Sequence, residues 1–152
     1  LKGHEAGGRV GPDPAFVLVQ KWLKRGGSDV PFWVRGGAGP NTAAACLAVR
    51  ARGVVLDSQL LLTRESPASD ELRKRVSGSD GGLAKEEDRL LAADLPAADK
   101  LTVWRKAVRD RVSADPATGV WLVGQDVASA AGLASKFVTV AGVLKAVAER
   151  AG

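Results

Sequence analysis

Three observations predict an α/β fold built on a parallel sheet. Helical and strand-like segments alternate as helix, strand, helix, strand over residues 14 to 56, which is the grammar of parallel pairing. The connections between them are short. The chain is long enough, at 152 residues with 45% hydrophobic content, for one domain with a sizeable core.

Each element has its own warrant. Residues 3 to 13, "GHEAGGRVGPD", hold four glycines and a proline and read as a loop. Asp13 and Pro14 then supply an N-cap and a first-turn proline. Ala15, Phe16, Val19, Trp22 and Leu23 recur at helical spacing, so 14 to 25 reads as a helix closed by Gly26 and Gly27. "VLVQ" within it also suits a short strand, and the capping signal favours the helix. Val30 to Val34 is a burst of β-formers and aromatics. Residues 36 to 40 form a loop, Asn41 or Thr42 caps the helix "AAACLAVRA", Gly53 ends it, and residues 54 to 56 make a second buried strand.

Beyond residue 60 the texture changes. A short charged helix starts near Ser69, and "SGSDGG", 77 to 82, is a flexible break. Residues 83 to 95 and 101 to 112 read as charged surface helices separated by Pro96. "SADPATG" is a turn and "VWLVGQ" a short strand or extended stretch. A pair of small-residue helices runs from Asp126 to the end.

Composition excludes several classes. The net charge of +5 and pI near 9.7 arise from 22 basic residues spread among 17 acidic ones. No basic stripe interleaved with aromatics appears, so nucleic acid is not an expected partner. The single cysteine, Cys46, rules out an internal disulfide and, with one histidine, His4, argues against a zinc centre. No apolar run approaches a membrane span and no signal-peptide pattern opens the chain, so a cytoplasmic location is expected. The chain starts at Leu1, lacks methionine and runs straight into a glycine-rich loop, which reads as a piece of a longer polypeptide.

Two loops carry the functional signal. "RGGAG" and "DSQ" follow consecutive strands, and ligands of parallel sheets sit at the carboxyl ends of strands. Glycines there let main-chain amides approach an anion, and the next helix adds its positive end. A cofactor phosphate would be cradled by the amides of Gly36 and Gly37 and by the amide and hydroxyl of Ser58. Glycines at strand ends also simply make turns. Asp57 is repulsive to a phosphate unless it points away, and it also reads as an N-cap for the segment that follows.

The stretches "KGHEAGGRVG", "FWVRGGAGPNTAAACLA", "GVVLDSQLLLTRESP" and "GQDVASAAGLA" together resemble the nitronate monooxygenase (2-nitropropane dioxygenase) superfamily. They are most similar to the flavin-dependent enoylreductase component of polyunsaturated fatty acid and polyketide synthases. The wider group includes the flavin-dependent bacterial enoyl-ACP reductase. The resemblance covers residues 1 to about 76 and, more loosely, about 120 to 147.

It implies FMN as cofactor and the C-terminal part of a (β/α)8 TIM barrel, about strands 6–8, followed by additional helices. Residues 1–76 would be the barrel portion, 77–119 a charged helical insertion, and 120–152 the closing strand and helices. Leu1 and Lys2 would end strand 6. Gly36, Gly37 and Ser58 match the phosphate loops, with Gln59 adjoining. Gly7 and Gly8 match a loop passing close to the flavin, and Gly124 and Gln125 match a "GQ" that closes the cofactor pocket. The implied partners are an acyl thioester or other small molecule and the rest of a larger synthase polypeptide, with no membrane.

Three positions depart from the family pattern. Arg9 stands where relatives carry a substrate-facing histidine, and an arginine stays protonated, so it cannot serve as a general base. It suits pairing with an anionic substrate or a reduced flavin, or a surface or phosphate-steadying place. Ala38 replaces a usual isoleucine and Arg50 a usual glycine. No catalytic residue is assigned. The favoured activity is FMN-dependent enoyl reduction on carrier-bound acyl chains, because the flavin supplies the hydride. Nitronate oxidation and a non-catalytic structural or docking module of a synthase are the alternatives.

Overall fold

The computed structural model describes residues 1–8, 10–78, 82–112 and 123–151. Arg9, residues 79–81 of the "SGSDGG" break, the "SADPATG" turn and the first part of "VWLVGQ" lie outside the described residues.

Helix α1 spans Ala15–Lys24, one residue inside the expected bounds at either end. Its capping differs from expectation. Pro14 occupies the N-cap with extended backbone, so the first free amide is that of Ala15. Glu5, from the preceding loop, accepts that amide at 3.2 and 3.1 Å through its two carboxylate oxygens. Asp13 instead pairs with Lys21 at 2.6 Å.

Strand β1 is Trp33–Arg35 and β2 is Gly53–Val55, paired in parallel with Val34 opposite Val54. The expected strand from Val30 begins late because Pro31 has no N–H to give a ladder. The Val30 amide turns back to Gly27 at 3.3 Å. The chain start adds a third parallel segment: Lys2 bridges Arg35, with Arg35 N–H donating to Leu1 and Gly3 N–H to Arg35, both at 2.9 Å. The parallel order is therefore residues 1–3, β1, β2.

Between the strands lies α2, Pro40–Ala48. Asn41 and Thr42 are not its N-cap: Pro40 can start a helix without an N–H, so the cap falls on Gly39. Thr42 Oγ accepts the Gly39 amide at 2.9 Å from the third helical position. Gly53 does not end the helix either. Arg50 takes the left-handed conformation, φ +66°, that turns the chain into β2.

Helix α3 is Asp70–Ser77, with Ser69 Oγ accepting the Leu72 amide at 3.2 Å as a cap. Helices α4, Gly82–Ala92, and α5, Ala97–Val112, break at Pro96 as the sequence implies. They are not merely surface helices. Each turns an apolar stripe inward, so Leu83, Leu90, Trp104 and Val108 are buried together with Val76, Val127, Ala128 and Ala130. A 3-10 turn, Gln125–Ser129, leads into α6, Ala130–Lys136, and α7, Val140–Ala151. Helix α7 packs along α2, where Arg150 donates to Asn41 at 3.1 Å.

A second cluster joins Ala15, Val19, Phe32, Val34, Cys46 and Ala51 between the sheet and α1 and α2. Helices α4 and α5 pack on α3, on each other and on the 3-10 turn, leaving Trp33 half exposed and Val55 partly so. No single helix among the described residues is long and apolar enough to cross a membrane.

Arg50 is the one non-glycine described with a positive φ, and an L side chain there is strained by roughly 1–2 kcal/mol. Arg50→Gly is expected to raise stability by about 1 kcal/mol after the added unfolded-state entropy of glycine is subtracted. The midpoint of denaturant unfolding measures this.

Candidate functional site

The loops after β1 and β2 lie side by side, as parallel pairing of Arg35 with Val55 requires. Gly36 and Gly37 take φ of +108° and +62°. Two successive left-handed residues form a concave turn of main-chain amides suited to an anion. Opposite them, Ser58 is buried at 4% exposure. Its hydroxyl oxygen accepts the Gly124 amide at 2.8 Å, which brings the 3-10 turn over both loops.

The side chain beside the Gly37 amide and the Ser58 hydroxyl is Asp126. The residue is 7% exposed and both its carboxyl oxygens are buried. The Ser58 hydroxyl and the Gly37 amide lie close enough to favour its charged form, yet neither carboxylate oxygen has a hydrogen bond of full geometry. Burial first, and then the nearby Asp57 carboxylate, push Asp126 up from 3.8 to about 7; Ser58, Gly37 and Arg35 oppose that rise without cancelling it. Asp57 does not cap the following turn. Its carboxylate pairs with the Arg35 guanidinium and stays close enough to Asp126 to disfavour the charged form there.

The remaining residues singled out in the sequence have separate places. Gln59, at 1% exposure, spends both ends of its amide inside the chain: Nε2 donates to Ala38 O at 2.7 Å and Oε1 accepts the Asp57 amide at 2.8 Å. It braces the two loops against each other. Gly7 and Gly124 meet back to back, and a Cβ on Gly124 would fall 2.4 Å from the Gly7 nitrogen and 2.3 Å from the Glu5 carbonyl oxygen. Gly8 and Gln125 line a cavity of about 360 Å³ on the far side of Gly124, within the size range of small-molecule sites.

Helix α5 forms the opposite wall of that cavity through Leu101, Trp104 and Arg105. Gln125 Nε2 donates to Glu87 at 3.2 Å, and burial raises the Glu87 carboxyl despite that bond. Gly37 and Ser58 thus lie beside the Asp126 carboxyl, Gly36 lies against Glu5 and Ala6, and Gly8 and Gln125 line a separate cavity. Gly7 and Gly124 hold the carboxyl and the cavity apart. Arg9 lies outside the described residues.

Sequence reasoning missed Asp126, Glu5 and Trp104. "GQD" offers no spacing signal for a carboxylate that meets Gly37 across 89 positions, and Trp104 looked like one apolar residue in a charged helix. Glu5 was legible in principle, as an acid ahead of a helix start.

No family model and no curated protein sequence matches the chain. Among solved structures, a point mutant of FabK from Thermotoga maritima is similar, with 22% identity and a TM-score of 0.54. The match covers 98% of this chain and 52% of FabK, so the chain spans about half of that protein's length. The likeness is one of fold: a helix-rich α/β chain with a small parallel sheet, compatible with part of a (β/α)8 barrel.

Gly124→Ala sets its Cβ against backbone on both sides and is expected to destabilise the chain by about 3 kcal/mol or more, read from thermal unfolding. Asp126 predicts a pH dependence as well. An acid with a raised folded pKa favours the fold while protonated, and this stability is lost as pH rises from about 4 through 7. Asp126→Asn is therefore expected to shrink the fall in melting temperature between about pH 4 and about pH 8 by roughly 5 °C.

Proposed function

We propose that this chain is a segment of an FMN-dependent oxidoreductase, acting as an enoylreductase on acyl chains bound to a carrier within a fatty acid or polyketide synthase. The observation that carries the reading is the convergence of Gly37 and Ser58, from adjacent parallel loops, on a carboxylate. The Gly37 amide and Ser58 hydroxyl beside that side chain are donors an oxyanion can use, although burial pushes Asp126 itself toward its neutral form. The four motifs that resemble the flavin-dependent enoylreductases, and the fold likeness to FabK, support the same reading. In this reading the segment 1–3, β1 and β2 correspond to strands 6, 7 and 8 of a barrel.

Gly36, Gly37 and Ser58 would hold the FMN phosphate. When bound, FMN supplies hydride transfer to the substrate double bond. The chain's own contribution is placement. Gly8 leaves the cavity wall without a side chain, and Gly124 separates phosphate cradle from cavity by the thickness of a backbone. Trp104 and Leu101 give the far wall apolar surface, and Arg105 places a cation at the cavity for an anionic substrate group.

One observation favours a second reading, a non-catalytic docking module of a synthase. The glycine turn is surrounded by carboxylates, with Glu5 beside Gly36 and Asp57 near Asp126, and the Asp126 carboxyl already stands beside the Gly37 amide.

Reconstitution separates the two. Purified chain incubated with FMN and desalted is expected to keep the flavin absorption bands. Gly37→Val, whose side chain would stand against Glu5 and strain the left-handed turn, is expected to lower FMN affinity at least about tenfold while a cooperative melt shows the variant still folded. Protein that stays colourless both as wild type and as Asp126→Asn overturns the cofactor reading and favours the docking module.

A further inference from the structure

We propose that the Asp126 carboxylate is the resident anion of the Gly36–Gly37–Ser58 cradle, and that a phosphate-bearing ligand gains the cradle only by displacing it. This deepens the cofactor reading above and rests on it.

Geometry supports the competition. Asp126 is more than nine-tenths buried, and its two oxygens lack hydrogen bonds of full geometry although the Gly37 amide and Ser58 hydroxyl stand beside it. Those are the donors a phosphate would need. A dianion entering among Asp126, Asp57 and Arg35 would meet one carboxylate already neutralised by Arg35 and one that is not. Two anions cannot share a low-dielectric site at that range without strong repulsion.

The displacement has an obvious moving part. The backbone of the 3-10 turn is held at two points: Gly124 N–H donates to Ser58 at 2.8 Å and Asp126 N–H donates to the Glu5 carbonyl at 3.2 Å. Val127 is buried beside it. The turn stays in place, and rotation of the Asp126 side chain vacates the cradle. The charged groups facing that side chain are Asp57 and Arg35 from the two loops, and the Glu5 carboxylate lies on the other side of the glycine turn. Lower pH removes the Asp126 charge and so favours the ligand. Asp126 would thereby set how tightly and at what pH the cradle takes a phosphate.

The test compares FMN with riboflavin, which lacks the phosphate, by titrating each into the full chain and following flavin fluorescence. Asp126→Asn and Asp126→Ala are expected to bind FMN at least about tenfold more tightly than wild type near pH 8. Riboflavin affinity is expected to stay within about twofold, and the FMN advantage to shrink near about pH 6. Equal or weaker FMN binding by both variants, with wild type binding well, overturns this proposal and leaves the cofactor reading standing. Equal tightening of FMN and riboflavin overturns it too. If no form takes up FMN, the cofactor reading falls. The melting temperature in inorganic phosphate then decides: a rise in the variants alone upholds the resident anion, and no rise overturns it.

Discussion

The buried hydrogen bond from the Gly124 amide to the Ser58 hydroxyl is the contact on which the architecture of the site depends. It spans 66 positions of sequence at 2.8 Å and joins the loop after the second strand to a turn that would otherwise belong to the helical half. Gln59 extends the linkage to the loop after the first strand, and close backbone contact of Gly124 with residues 5 to 7 adds the opening loop. Four segments become one unit because a serine hydroxyl can accept from a main-chain N–H in a place where water cannot.

That unit gathers acids. Glu5 faces the first free amide of α1, where the positive end of a helix favours it. Asp57 faces a guanidinium. Asp126 alone has no full partner among the groups around it. A buried charge left without compensation opposes folding, and strain of that kind concentrates where a ligand is meant to act. The same turn lies between a small polar concavity and a larger cavity lined by both apolar and charged side chains.

Much of this was legible in the chain itself. The helix–strand alternation, the parallel pairing, the Ser69 cap and the break at Pro96 follow from local chemistry, and local chemistry can be read along one dimension. The glycine turn and Ser58 could be paired because two parallel strands in register must bring their following loops together. The errors came from competition between local signals. Glu5 outreached Asp13 for the start of α1, Pro31 silenced a strand that its neighbours favour, and Arg50 accepted a conformation that glycine usually takes. Asp126 was invisible for a different reason: its meaning lies in a long-range contact that no spacing encodes. Trp104 was masked by the charges around it, although its inward face, with Val108 one turn on in the same helix, repeats at helical spacing.

The burial of Cys46 carries a practical consequence. It is the sole thiol of the chain, sits at 1% exposure between α2 and the sheet, and burial keeps it in the protonated, unreactive form. A thiol reagent therefore reaches it only when that layer opens, and the rate of labelling is a clock for such openings. Because the same layer underlies the glycine turn, anything that grips the loops from above should slow the clock, so a silent cysteine becomes a reporter of events at a site it never touches.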